Sequence, residues 1–122
     1  MKYHKFIFIG HPITKSNEKI MGKQGRFFLS RKYKDYERTL QEQFLSQRPN
    51  NFKMFCGKIK IWLFLYFKDN RRRDVQNYPK SILDAFNGFI YKDDSQVYEI
   101  HIYKRIDKKN PRVEMEVIEY EK

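Results

Sequence analysis

The run Lys58 to Phe67 (KIKIWLFLYF) constrains this chain more than any other stretch. It is short, and its β-branched and aromatic side chains suit a pleated strand better than a helix. Ile59, Ile61, Leu63, Leu65 and Phe67 fall on one face, Trp62, Phe64 and Tyr66 on the other, with polarity only at Lys58 and Lys60. Apolar on both faces, the run predicts a central strand covered from both sides. The rest of the chain must supply its neighbours and its covering layers.

Tyr3 to Ile9 reads as a first strand, ended by Gly10 and Pro12. His11 to Arg26 has no hydrophobic period and reads as a long loop, followed by a brief strand at Phe27 to Leu29. Ser30 is a candidate N-cap for a helix running to about Gln47, with Tyr33, Tyr36, Leu40, Phe44 and Leu45 at helical spacing and Pro49 as the stop. Asn77 as N-cap and Pro79 in the first turn predict a second helix to about Phe86, closed at Asn87-Gly88. Phe89 to Tyr91 reads as short and extended. Val97 to Lys104 and Val113 to Tyr120 alternate in hydropathy and are placed to form a hairpin across Asp107 to Pro111. The order β-α-β-α-β-β predicts an α+β fold: a single domain over residues 1–122, with a small mixed β-sheet and two main helices.

Twenty-six lysines and arginines against 15 acids leave a net charge of +11. Such an excess on a small domain predicts attraction to a polyanion, with nucleic acid foremost. The single cysteine, Cys56, permits no intramolecular disulfide and no cysteine-based zinc site. Its neighbours Phe55 and Gly57 suggest a buried or half-buried, inert thiol. The longest apolar run, Ile61 to Phe67, falls far short of a membrane span. The chain therefore reads as cytoplasmic, with no membrane partner.

The chemistry concentrates between Arg71 and Val97, RRRDVQNYPKSILDAFNGFIYKDDSQV. Asp74 ends the connection leaving the strong strand, and Asp93-Asp94 lie beyond the following helix. Carboxylates gathered from two places can hold a hard cation through oxygen and leave room for water and phosphate. The same letters also fit an acid at a helix start and a solvated acidic turn. Lys80 is able to contact a phosphate or simply to pair with Asp84 one turn on. Arg71, Arg72 and Arg73, with Arg26 and Arg31 earlier in the chain, are candidate DNA-backbone contacts.

These residues resemble the RusA family of Holliday-junction resolvases, whose hallmark runs D-x-D-N-x-x-K, then D-A-L-x-G, then D-D-x-Q-V. The corresponding letters are Asp74, Asn77 and Lys80, then Asp84-Ala85-Phe86-Asn87-Gly88, then Asp93-Asp94-Ser95-Gln96-Val97. A weaker likeness covers the opening strand and Gly10-His11-Pro12. The resemblance implies a homodimeric endonuclease, dependent on Mg²⁺ or Mn²⁺, that nicks branched double-stranded DNA symmetrically. It implies Asp74 and Asp94 as metal ligands, Asp93 as a ligand or close support, and Lys80 as a phosphate or transition-state contact. Asn77 and Asp84 become supporting residues. Gln76 stands where the family usually has a second aspartate, and it brings a carbonyl oxygen without the negative charge.

The resulting expectation is a metal-dependent endodeoxyribonuclease that resolves four-way junctions in recombination and repair. Its competitors are a non-catalytic binder of branched nucleic acid, which Gln76 favours, and a nuclease acting on flaps or forks.

Overall fold

The computed structural model describes residues 2–15 and 31–120, with the backbones of two short strands between them. The elements are β1 (Tyr3–Ile9), β2 (Lys19–Met21), β3 (Phe27–Leu29), α1 (Arg31–Gln47), β4 (Ile59–Phe67), α2 (Tyr78–Ala85), β5 (Val97–Ile106) and β6 (Arg112–Glu119). This is an α+β fold around a four-stranded mixed sheet of order β1-β6-β4-β5. β4 runs parallel to β5 and antiparallel to β6, and β6 pairs antiparallel with β1. β2 and β3 form a separate two-stranded ribbon, so a strand at Lys19–Met21 breaks the segment expected to be all loop. Ser30 and Arg26 lie outside the described residues.

β4 is central, as its composition demands, and its faces differ. Ile59, Ile61, Leu63, Leu65 and Phe67 are wholly buried. Trp62, Phe64 and Tyr66 are half-buried, and no helix covers them. The expectation of two covered faces is therefore corrected. Aromatic side chains keep one face partly dry by stacking on their neighbours in β5, ring on ring: Trp62 on His101 and Phe64 on Tyr103, each pair with centroids 4.9 Å apart.

The expected β5–β6 hairpin does not form. β4 lies between the two strands and pairs with both. An alternating pattern fixes which face a strand buries and says nothing of which neighbour it takes. Here the strand with two apolar faces occupies the middle.

On the covered face, α1 presents Tyr33, Tyr36, Leu40 and Phe44, one stripe at helical spacing, while Leu45 points to solvent. α2 buries Ile82, Leu83 and Ala85, followed by Phe86. The aromatic cluster of Phe6, Phe8, Phe44 and Phe86 joins β1 to both helices, with Phe8 and Phe86 centroids 4.9 Å apart. α1 also dresses the outer margin of β1. Gln47 Oε1 accepts from Ile7 N at 2.9 Å while its Nε2 donates to Ile7 O at 2.8 Å. Gln43 repeats the arrangement one turn earlier on Ile9, at 2.7 and 2.9 Å. Two side-chain amides thus replace a missing strand.

Cys56 is exposed rather than half-buried, with Sγ 3.6 Å from the Met54 carbonyl. The neighbouring Phe55 occupies the core position instead. Among the described residues no helix is long and apolar enough to cross a membrane.

Candidate active site

The parallel pairing of β4 and β5 dictates where the chemistry sits. Phe67 and Val97 lie at opposite ends of the pair, because Ile59 pairs with Val97 and Phe67 with Ile106. The connection must travel back the length of the sheet, and α2 supplies about 12 Å of that return. Asp74 opens the return path and Asp94 closes it. The acid that meets Asp94 is therefore Asp84, in the last turn of α2.

The carboxyls of Asp84 and Asp94 hydrogen-bond to each other. Neighbouring like charges disfavour joint ionisation, and the two carboxyls shift in opposite directions. Burial pushes Asp84 up, but the hydrogen bond with Asp94 and the ammoniums of Lys15 and Lys80 outweigh it and leave Asp84 below the usual range. Asp94 is held above it by that same hydrogen bond, by desolvation and by the charges of Asp84 and Asp93. Asp84 is the lowered member of the pair because it has the closer cations. Lys15 Nζ is 2.9 Å from Asp84 Oδ2, and Lys80 Nζ, one helical turn before Asp84, is 3.6 Å from the same oxygen. The Lys80 side chain is 81% exposed and Asp84 19%, so the lysine reaches outward from a half-buried acid.

Local structure holds these groups from below. Ser81 is buried and receives Lys15 N at 3.0 Å on its Oγ, while its carbonyl accepts from Tyr33 Oη at 2.8 Å. The extended segment before Lys15 and helix α1 are thus both tied to α2. Tyr91 is wholly buried under the acids and donates to the Leu83 carbonyl at 2.7 Å. Burial first, then Asp94, Asp84 and Asp93, raise its phenol well above the ordinary value.

Phe89 to Tyr91, expected to be extended, is a tight turn instead. Gly88 adopts a left-handed φ of +83° and donates from its N to Tyr91 O at 2.7 Å, which folds the chain back on itself.

Asp93 serves as a cap. Its Oδ2 accepts from Ser95 N at 3.1 Å, and Gln96 Oε1 accepts in return from Asp93 N at 3.1 Å. These contacts, led by the Ser95 bond, hold its carboxyl below the usual range. Gln96 also donates to the carbonyls of Phe55 and Gly57 at 2.8 and 2.9 Å, which anchors the turn that presents Asp94.

Asp74 is exposed and precedes a 3₁₀ turn, Val75–Asn77, where Gln76 Nε2 donates to its Oδ2 at 3.3 Å. Asn77 occupies the N-cap position of α2 without a capping side-chain bond, and its carbonyl accepts from Thr14 Oγ1 at 3.1 Å. Among the described residues no three histidines, cysteines or acids gather around one point. The structure brings together Asp84, Asp94 and Lys80, and leaves Asp74 with Gln76.

Of the basic candidates, Arg71 and Arg72 are exposed. Arg73 is folded in: its side chain is 10% exposed, pairs with Asp69 at 2.9 Å and lies over the Phe67 ring at 4.6 Å. Arg31 heads a shallow groove on α1 with Lys34, Asp35 and Arg38. Lys15 was not singled out from the sequence, because a lysine in an aperiodic segment carries no pattern that ties it to a distant acid.

The family model for the endodeoxyribonuclease RusA matches residues 10–118. A crossover junction endodeoxyribonuclease RusA of Aquifex aeolicus (strain VF5) is 28% identical over 102 residues, covering 80% of this chain and 76% of that protein. An uncharacterized protein YqaN of Bacillus subtilis (strain 168) is 48% identical over 46 residues, 38% of this chain and 32% of its own length. With the match spanning both helices and every sheet strand but β1, the chain belongs to the RusA endodeoxyribonuclease family.

Proposed function

We propose that this chain is a metal-dependent endodeoxyribonuclease that resolves four-way DNA junctions by paired, symmetric nicks. The observation that carries the reading is the contact of Asp84 with Asp94 beside Lys80, at positions of the family's acidic and lysine motif. Asp74, Asp93 and Asp94 are the carboxylates that the family correspondence assigns to Mg²⁺ or Mn²⁺. Asp84 joins them in this reading, supported by its contact with Asp94.

An all-oxygen, carboxylate donor set suits a hard divalent cation. The charge of Asp84, which raises the Asp94 carboxyl, marks a place where a cation relieves repulsion, so these two carboxyls suit the metal. Bound there, the cation supplies charge stabilisation at phosphorus and a water of lowered pKa.

The chain's own residues do the rest. Lys80, exposed on α2, meets a non-bridging phosphate oxygen and opposes the charge that builds as water adds. One P–O bond forms to the water oxygen, one ester P–O bond breaks, and the departing oxygen takes up a proton. Lys15 and Ser81 keep Asp84 in place, and the Asp93 cap keeps Asp94 turned toward it. Arg31, Arg71 and Arg72 grip flanking backbone phosphates, and Arg26 joins them in this proposal from outside the described residues. A junction offers two equivalent phosphates, so a twofold homodimer matches it.

The test compares a synthetic four-way junction with linear and flap substrates in Mg²⁺, at about 0.1 M salt where nonspecific binding is weakened. Paired symmetric nicks, lost in Asp94→Asn while junction binding survives, are expected. Preferential cutting of flaps would transfer the assignment to that substrate. Junction binding with no nicks in Mg²⁺ or Mn²⁺ would leave a structure-selective binder, the reading that Gln76 favours.

A further inference from the structure

Asp94 precedes β5 at the end of the sheet where β4 also begins and β6 ends, since Ile59 pairs with both Val97 and Glu119. That end carries a cleft outside the acidic site. It is a cavity of about 390 Å³ whose walls include Lys2, Lys53, Phe55, Lys58, Glu119 and Tyr120. Cleft and acids share a support: Gln96, which completes the Asp93 cap, donates to the carbonyls of Phe55 and Gly57 in the cleft wall. We propose that this cleft, with Tyr98 at its rim, is a subsite for an unpaired nucleotide, its base stacked on tyrosine and its phosphate met by lysine. The inference rests on the proposed function, in which the protein acts on branched DNA, and adds how a strand opened at the branch is held.

A break in the pleat puts Tyr98 there. Ile59 pairs with Val97 but Lys60 with Glu99, so one step along β4 answers two along β5 and Tyr98 falls outside the register. Such a bulge re-aims a side chain. It also lets Val97 and Ile100, three positions apart, both pack against the core. Tyr98 is left 60% exposed. Its ring meets that of Tyr120 with centroids 6.0 Å apart and planes at 48°. Lys58 Nζ lies 4.9 Å from the Tyr98 ring centre, and Lys60 Nζ 5.1 Å from that of Tyr120. Backbone bonds fix the frame: Tyr120 N donates to Lys58 O at 2.9 Å and Glu119 N to Lys2 O at 3.0 Å.

The chemistry of the cleft names its ligand. Three lysines against one acid in the walls call for an anion. Lys2 is committed to the floor, where its ammonium donates to the Lys53 and Met54 carbonyls and lies 4.4 Å from the Phe55 ring centre. Lys53 and Lys58 remain for the ligand. A bare phosphate would engage them and leave both tyrosines unused. A nucleotide uses both parts, because every base offers a flat π face to an exposed ring while its phosphate takes the ammoniums. A paired base is already stacked on its neighbours, so the platform selects one that a branch has freed. Arg71 and Arg72, assigned above to the flanking backbone, follow the far end of β4 and do not compete for this cleft.

The probe is an oligothymidine single strand carrying 5-iodouracil, compared with a fully paired duplex of the same length at about 0.1 M salt without divalent metal. Irradiation is expected to cross-link the single strand to Tyr98 or Tyr120, read by mass spectrometry of the digested conjugate. Tyr98→Ala, checked for folding by its melting temperature, is expected to weaken single-strand affinity about tenfold and duplex affinity less than about twofold. Tyr98→Phe keeps the ring and is expected to bind as wild type does. Lys58→Ala is expected to lower the salt slope of single-strand binding by about 0.7, the share of one phosphate.

Cross-links confined to residues away from the cleft overturn the proposal. So does a Tyr98→Ala variant that binds the single strand as wild type does, or one that loses both affinities equally. A loss in Lys58→Ala alone reduces the cleft to a phosphate contact and sinks the base platform. A protein that cross-links through Tyr98 yet nicks no junction keeps this subsite and ends the proposed activity. A Tyr98→Ala variant that binds and nicks junctions at the wild-type level ends the subsite and keeps the activity.

Discussion

Asp84 and Asp94 hydrogen-bond to each other through their carboxyls, although they stand ten positions apart with a left-handed turn at Gly88 between them. The contact exists because α2 ends where the turn before β5 begins. Asp84→Asn removes a charge that the proposed function assigns to the cation. Its requirement for Mg²⁺ is expected to rise about tenfold or more. A Mg²⁺ titration of the cleavage rate, with a Mn²⁺-dependent melting shift as a second readout, checks this. An unchanged metal requirement would return Asp84 to a purely structural role.

Lys80 is exposed, and its ammonium pairs with Asp84 at 3.6 Å. Lys80→Ala is expected to leave the melting temperature nearly unchanged while cleavage falls by about 10² or more, the typical cost of losing one group that stabilises transition-state charge. Junction affinity, measured in Ca²⁺ or without metal, is expected to change little beside that. Equal losses in binding and in cleavage would make Lys80 a backbone contact and nothing more.

Tyr91 supplies the floor beneath the acids. Tyr91→Phe removes the hydroxyl that donates to the Leu83 carbonyl, which keeps its 3.1 Å bond from Phe86 N. The expected cost is that of one hydrogen bond, about 0.5–1.5 kcal/mol, read from urea unfolding. A neutral result would mean that the bond from Phe86 alone satisfies the carbonyl.

Gly88 has open space where a Cβ would sit, so Gly88→Ala meets no clash and carries only the conformational cost of φ +83°. That cost is about 1–2 kcal/mol. Gly88→Asn is expected to lose less, since asparagine tolerates the left-handed region better. Equal stability of Gly88→Ala and wild type would show that the turn relaxes.

Acid weakens this fold through His4 and His11. Burial, then Lys2, hold His4 below its ordinary value, and His11 is lowered by burial, Arg73 and Lys68. In the window between the usual histidine value and these lowered ones, the unfolded chain binds more protons than the folded one. Stability is therefore full above that window and falls as pH drops through it. His4 packs against Phe52 and Phe55, at 4.9 and 5.9 Å between centroids. His4→Phe is accordingly expected to flatten the dependence of melting temperature on pH between neutrality and mild acid. A variant as acid-sensitive as wild type would place the effect in other groups.

Much of the architecture was legible because hydrophobic period reports on burial. Ile59 to Phe67, the α1 stripe from Tyr33 to Phe44 and the alternation in β6 all announce the faces that the structure buries. Strand neighbours were not legible, since the period of β5 and β6 is satisfied whether they pair with each other or with β4. The open face was misread for a related reason: Trp62 and Phe64 look like core until their rings are seen to cover themselves against His101 and Tyr103.

At the candidate site the spacing of Lys80 and Asp84 foretold their pairing. The meeting of Asp84 with Asp94 depends on how far α2 carries the chain back, which no local pattern encodes. Lys15 reaches Asp84 across 69 positions of sequence and left no trace in it.

The two glutamines on α1 have a consequence for how this protein behaves when concentrated. By occupying the amides and carbonyls of Ile7 and Ile9, they cap one margin of the sheet against a stray extended chain. Growth by strand addition is blocked on that side, and an endless ribbon needs two open margins. A molecule rich in tyrosine and phenylalanine thus escapes one common route to fibres with a pair of uncharged side chains. No lysine or proline is required there.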